Sequence, residues 1–150
     1  MLQNLHLELR ELLTRKNFER IPLKRLASGH YTCDVKLNNV TGLFILDTGA
    51  STSCVGWEHT LFFNLKSENS EVLAAGAGAT NLETKIALNN SLLIGCLSKH
   101  NVDLILLDLS HVNEALLKVS TNTIHGILGA DFLKKHRAII DYGRNCLYLL

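Results

Sequence analysis

Apolar positions near the start of the chain recur every three or four residues: Leu2, Leu5, Leu9, Leu12 and Leu13 share one side of a helical wheel. Glu8, Arg10, Glu11 and Arg15 occupy the rest. This period predicts an amphipathic helix over residues 2–14, packed on its own domain or serving as a docking or dimer helix. Pro22 then opens a short extended, basic link through Lys24 and Arg25. From Gly29 the period falls to two, and short apolar runs separated by Asn and Gly set the rhythm of an all-β domain. The change of period near residue 28 divides a helical extension, residues 1–28, from a β-domain, residues 29–150.

Within that domain "YTCDVKL" alternates, "NNVTG" supplies turn residues and "LFIL" returns as a continuous apolar run, so residues 31–46 read as a hairpin. "SEVLAAGAGATNLETKIAL" has two alternating arms around the tip "AGAGA", whose glycines take positive φ without steric cost, and predicts a mobile hairpin. "SLLIGCL" and "VDLILLDL" have strand length, the second reading as buried on both faces. "HVNEALLKV" suits a short helix around residues 112–119. The remainder carries an apolar strand into Gly129, a short helix near 131–136, and a closing hairpin of "AIIDY" and "CLYLL" around "GRN".

Composition narrows the possibilities. The 150 residues suit one domain, and 47% hydrophobic with 19% charged residues describes a chain that folds. A net charge of +1 gives no field to draw in nucleic acid or an anionic membrane. Cys33, Cys54, Cys96 and Cys146 lie far apart with no C-x-x-C pair, which suggests buried free thiols in a reducing compartment. The first residues lack the apolar core of a signal peptide, and no run approaches the roughly 20 apolar residues that span a bilayer. A cytoplasmic protein is the expectation.

The run Leu43–Leu46 ends in a lone carboxylate, Asp47, followed by Thr48, Gly49, Ala50 and Ser51. Downstream come the glycine-rich tip and then the apolar-apolar-glycine element "ILGADFL", residues 127–133. In this combination and order the sequence resembles the retropepsin-like aspartic proteases, of the single-domain cellular and bacterial type. The resemblance implies a closed, barrel-like all-β fold with a short helix near the C-terminus. It also implies an endopeptidase that activates water between two carboxyl groups and needs no cofactor. Asp47 would be the catalytic carboxylate. Thr48 would direct its hydroxyl across a dimer axis, and Gly49 would let a backbone N–H approach the carboxylate. Ala50 would belong to the substrate-binding loop, Gly76, Ala77 and Gly78 to a flap over an extended peptide, and Gly129 to the support behind the loop.

Water attack on a peptide needs one carboxylate to take a proton and one carboxylic acid to give one, a task two adjacent carboxyls perform by sharing a proton. None of Asp34, Asp103, Asp108, Asp131 and Asp141 is followed by Thr-Gly or Ser-Gly, so the chain carries half a site. An isologous dimer places the same residue on both sides of its axis, and catalysis therefore predicts a homodimer acting on peptide or protein. Retroviral relatives brace that dimer with acidic residues after the motif and an arginine after the downstream glycine. Here Ser51, Thr52 and Ala130 stand there. "CLYLL" could be shared between subunits or lie inside one.

Other readings compete. The fold could serve binding or dimerisation with little or no proteolysis, or Asp47 could be an ordinary turn aspartate on a monomer. The seven histidines show no ligand spacing, no Lys-Ser or Lys-Thr follows "AGAGA", and no G-x-S-x-G elbow surrounds Ser51 or Ser53. Metal, nucleotide and serine-hydrolase chemistry are not indicated. Lys134, Lys135, His136 and Arg137 read as a solvated helix end.

Overall fold

The computed structural model of the chain describes residues 2–69, 74–76, 79–119 and 122–150. Among the described residues thirteen strands and three α-helices follow one another. Helix α1, Leu2–Arg15, leads into β1, Glu19–Pro22, and β2, Lys24–Arg25. The hairpin β3, Tyr31–Leu37, and β4, Val40–Leu46, precedes β5, Cys54–Gly56. After these come β6, Ser67–Asn69, the pair β7, Ala74–Gly76, and β8, Ala79–Leu82, and the long hairpin β9, Lys85–Ile94, and β10, Leu97–Leu107. Helix α2, Ser110–Leu117, β11, Gly126–Leu128, and helix α3, Ala130–Lys135, lead to the closing hairpin β12, Ile139–Asp141, and β13, Cys146–Leu149.

Six strands close on themselves. The order β3-β4-β11-β5-β10-β9 returns to β3 through Lys36↔Leu93 and Leu37↔Leu92, making a barrel, with β2 beside β3 and β6 beside β9. Alternation along β4 explains its unbroken apolar run: Phe44 faces the barrel core with Val35, Leu106 and Leu128, while Ile45 faces outward under Leu109 and Leu116 beside α2. A second sheet, β1-β13-β12, involves both ends of the chain. There β13 is the middle strand, Leu147 and Leu149 toward the barrel core, Cys146 and Tyr148 toward Leu13, Leu9 and Phe18 at the first helix. Two strands preceding residue 29 thus join the sheets, β1 against β13 and β2 against β3.

Several expectations are met to within a residue or two, and the exceptions have physical reasons. Helix α2 begins and ends two residues earlier than the apolar pattern suggests. Asp108 Oδ1 accepts the Ser110 N–H at 2.9 Å, and Asn113 fastens the helix by donating to Ile124 O and accepting from Ile124 N. Strand β10 is not buried on both faces, since only Leu106 in it is fully enclosed. Cys33, Cys54 and Cys146 are buried thiols, but Cys96 is exposed at the β9–β10 turn. His136 is no part of a solvated helix end. Its ring packs on Phe132 at 4.4 Å and its Nδ1 donates to Leu150 O, while Lys134, Lys135 and Arg137 are exposed.

Candidate active site

Strand β11 lies between β4, parallel to it, and β5, antiparallel to it. The segment from Asp47 to Ser53 must therefore cross the end of β11 to pass from one flank to the other. This crossing puts Asp47 at the rim of the barrel. Its N–H donates to Leu128 O at 3.0 Å, continuing the ladder one residue past β4, and its side chain is half-buried. Asp47 Oδ1 accepts the Gly49 N–H at 2.8 Å. A Cβ on Gly49 would lie 3.2 Å from that oxygen, so glycine gives the amide its close approach. Thr48 and Gly49 are exposed, and Ala50 N donates back to Asp47 O.

The crossing segment is held from behind. Ala130 N donates to Ala50 O at 2.8 Å and Asp131 N to Ser51 O at 3.3 Å. Gly129 N donates to Ser53 Oγ, which itself donates to Asp131 Oδ1 at 2.6 Å, and the same oxygen accepts from Ser53 N and Phe132 N. A side chain at position 129 has no room, because its Cβ would sit 2.8 Å from Ala50 O and 2.9 Å from the Thr52 carbonyl carbon. Ser53 and Asp131 thus brace the loop within one chain, at a level where Ser51, Thr52 and Ala130 offer no ion pair. Nothing local in the sequence marks the two as partners.

Asp47, Thr48, Gly49, Ala50 and Gly129 therefore meet at one place. Gly76 ends β7 and pairs with Ala79 in a two-stranded antiparallel sheet. Ala77 and Gly78 lie outside the described residues. Beneath the loop, burial pushes the Cys54 thiol up to about 12, with smaller contributions from Asp131 and Glu58 partly offset by a backbone bond to Ile127, so it stays protonated. Cys33 is likewise pushed up to about 12 by burial, then by Asp34. Neither thiol is a nucleophile at neutral pH.

A family model described as aspartyl protease matches residues 33–132, more than half of the chain and including the whole of this loop and its brace. The chain belongs to the aspartyl protease family. Among solved structures, this family member is similar to a retropepsin-like aspartic protease from Rickettsia conorii, with TM-score 0.56 and 20% identity over 88% of this chain and 90% of that one. It is similar also to the EIAV protease complexed with the inhibitor HBY-793, with TM-score 0.51 and 21% identity over 69% of this chain and 85% of that one. A third is the retroviral protease-like domain of Ddi1 from Leishmania major, with TM-score 0.53 and 15% identity over 79% and 86%. At such identities the likeness is one of fold. No relative matches among curated protein sequences. The retropepsin-like all-β fold anticipated from the motif is the fold of this aspartyl protease-family chain.

Proposed function

We propose that the chain is an aspartic endopeptidase that works as a homodimer, Asp47 of one copy beside Asp47 of a second. The observation that carries this reading is a half-buried carboxylate fixed by the Gly49 N–H at the end of a strand packed on both faces, on a loop braced by β11 and α3. One such group per chain is half of what hydrolysis needs. In the pair, one carboxylate takes a proton from water as the water attacks the peptide carbonyl, and the other carboxyl donates to the carbonyl oxygen. The two titrate as a unit that shares one proton. Exposed Thr48 meets its counterpart across the axis and stiffens the paired loops. Ala50 lines the cleft, Gly129 supports it from behind, and Gly76, Ala77 and Gly78 close main-chain amides over an extended peptide. No cofactor takes part.

The test compares wild type with Asp47→Asn on a peptide library between about pH 4 and 7, with mass measured in solution. Asp47→Asn is expected to abolish cleavage while leaving the circular dichroism spectrum unchanged. A wild type that dimerises yet cleaves nothing across that range replaces the reading with a binding or dimerisation module. A chain that stays monomeric with peptide present ends the dyad mechanism.

A further inference from the structure

Strand β11 runs beside β4 for three register pairs, Gly126↔Phe44 to Leu128↔Leu46, and the pairing continues past it at both ends. Beyond Leu46, Asp47 N donates to Leu128 O at 3.0 Å. Before Phe44 the partner is of another kind. Leu43 O accepts the His125 N–H at 2.8 Å, but Leu43 N donates to a side chain, His125 Nδ1, at 3.0 Å. Extended by one step, the parallel register sets Leu43 opposite His125 and would give the Leu43 N–H the carbonyl of Ile124. That carbonyl is turned elsewhere, accepting Asn113 Nδ2 at 3.0 Å and His59 Nε2 at 3.2 Å. The imidazole of His125 stands in its place.

An acceptor of this kind is subject to a condition that a carbonyl is not. A main-chain N–H only donates, so Nδ1 must hold no proton, and a proton there sets two donors face to face. The ring is wedged where it stands. Phe62 stacks on it at 5.0 Å and 22°, the His59 and Phe63 rings lie 4.6 and 5.6 Å away, and a Cβ on Gly42 would come within 3.2 Å of its own Cβ. From the helical turn Trp57–His59, His59 and Glu58 face it, the first opposing its protonation and the second favouring it. Strands β4 and β11 carry no charged side chain, and α2, which reaches this segment through Asn113, leaves His111 and Glu114 exposed.

We infer that His125 is a positioning residue for Asp47 and makes peptide cleavage sensitive to acid: its neutral ring pins the entry of β4 beside β11, and its protonated ring releases it. The two anchors, Leu43 N on Nδ1 and Asp47 N on Leu128 O, stand at opposite ends of one short stretch, with three register pairs between them. A ladder this short opens from whichever end is free. Once Leu43 is released, the fluctuation of β4 reaches the carboxylate at its other end, which must hold hydrogen-bond geometry to act on water. His125 itself touches no reacting atom. This role rests on the peptidase reading above and adds control by pH to it.

The experiment compares the full-length wild type with His125→Asn, whose Oδ1 is joined to the main chain through as many bonds as Nδ1 and accepts at every pH. NMR follows the His125 ring nitrogens from about pH 7.5 to 5, together with amide exchange at Leu43 and Asp47 corrected for the intrinsic rate at each pH. As His125 takes up its proton, protection at both amides of the wild type is expected to fall at least about ten-fold further than that of the β13 amides in the other sheet, whereas in His125→Asn all three fall together. Peptide cleavage by the wild type is expected to drop, relative to His125→Asn, by up to about ten-fold per pH unit below the His125 midpoint. The exchange measurements on wild type need no variant to fold. Loss of protection at Leu43 with none at Asp47 overturns the inference, as does equal acid sensitivity of cleavage in the two proteins. A wild type that cleaves nothing yet loses protection at both amides upholds the link from His125 to Asp47 and overturns the peptidase reading alone.

Discussion

At position 129 a methyl group would stand 2.8 Å from a backbone oxygen of the loop that carries Asp47, and no flexible side chain is there to yield. Gly129→Ala is therefore expected to cost about 1–3 kcal/mol and to push Ala50 and Thr52 outward. Urea unfolding reads the first effect, and loss of peptide cleavage out of proportion to the fraction unfolded reads the second. Ser53→Ala strips Gly129 N and Asp131 of a shared hydroxyl and is expected to destabilise the fold by about 1–3 kcal/mol, measured the same way. Asp47, Gly49 and Gly129 were legible in the sequence because their constraints act over a few bonds: a strand end, a tight amide approach, a glycine after an apolar pair. Ser53 and Asp131 were not, since their bond joins positions 78 apart and either residue type would serve equally in a solvated turn. His136 was misread for a related reason. A histidine amid cations suggests solvent, but the carbonyl of Leu150 and the ring of Phe132 draw it inward.

Among the elements, α2 shows how a helix too short to stand alone is held. Its buried Asn113 exchanges two hydrogen bonds with the main chain of Ile124, just before β11. Asn113→Ala leaves the buried Ile124 N–H unmatched, while Ile124 O keeps the His59 Nε2 donor, with an expected loss of about 1–3 kcal/mol. Differential scanning calorimetry checks it, and Asn113→Asp, which keeps only the acceptor, is expected to fall between alanine and wild type. The existence and order of strands were readable because period two and Asn/Gly punctuation are local. Their environments were not. Whether "VDLILLDL" lies under cover on both sides depends on what packs against each face, and within β10 only Leu106 is fully enclosed. The same holds for "CLYLL", an apolar run equally suited to sharing between subunits until its two neighbours are known.

For the molecule as a whole, acidity acts on two histidines that the fold keeps neutral. Burial, then the neighbouring His59, lower the pKa of His125, whose Nδ1 accepts the Leu43 N–H on β4 and so must carry no proton. Burial, then Lys99 and Lys135 against a bond to Leu150 O, lower that of His136. Below an unfolded value of about 6.5 the unfolded chain takes up protons that the native one refuses. The stability both residues lend is thus complete above that pH and drains away as pH falls through their depressed native values. Melting temperature is expected to drop between about pH 7 and 5, and His125→Gln, which offers an amide oxygen to Leu43 N–H, should flatten the slope. The crossing at β11 sets a different clock. Strands β4 and β5 are separated from β11 by most of the barrel, and β1 waits for β13, so long loops must close before either arrangement gains any contact. As the chain is synthesised, Asp47 emerges early but finds its supporting strand only after residue 128 has followed. Assembly of the Asp47 loop is then expected late in folding, so that a newly made chain takes shape before that carboxylate is fixed in place.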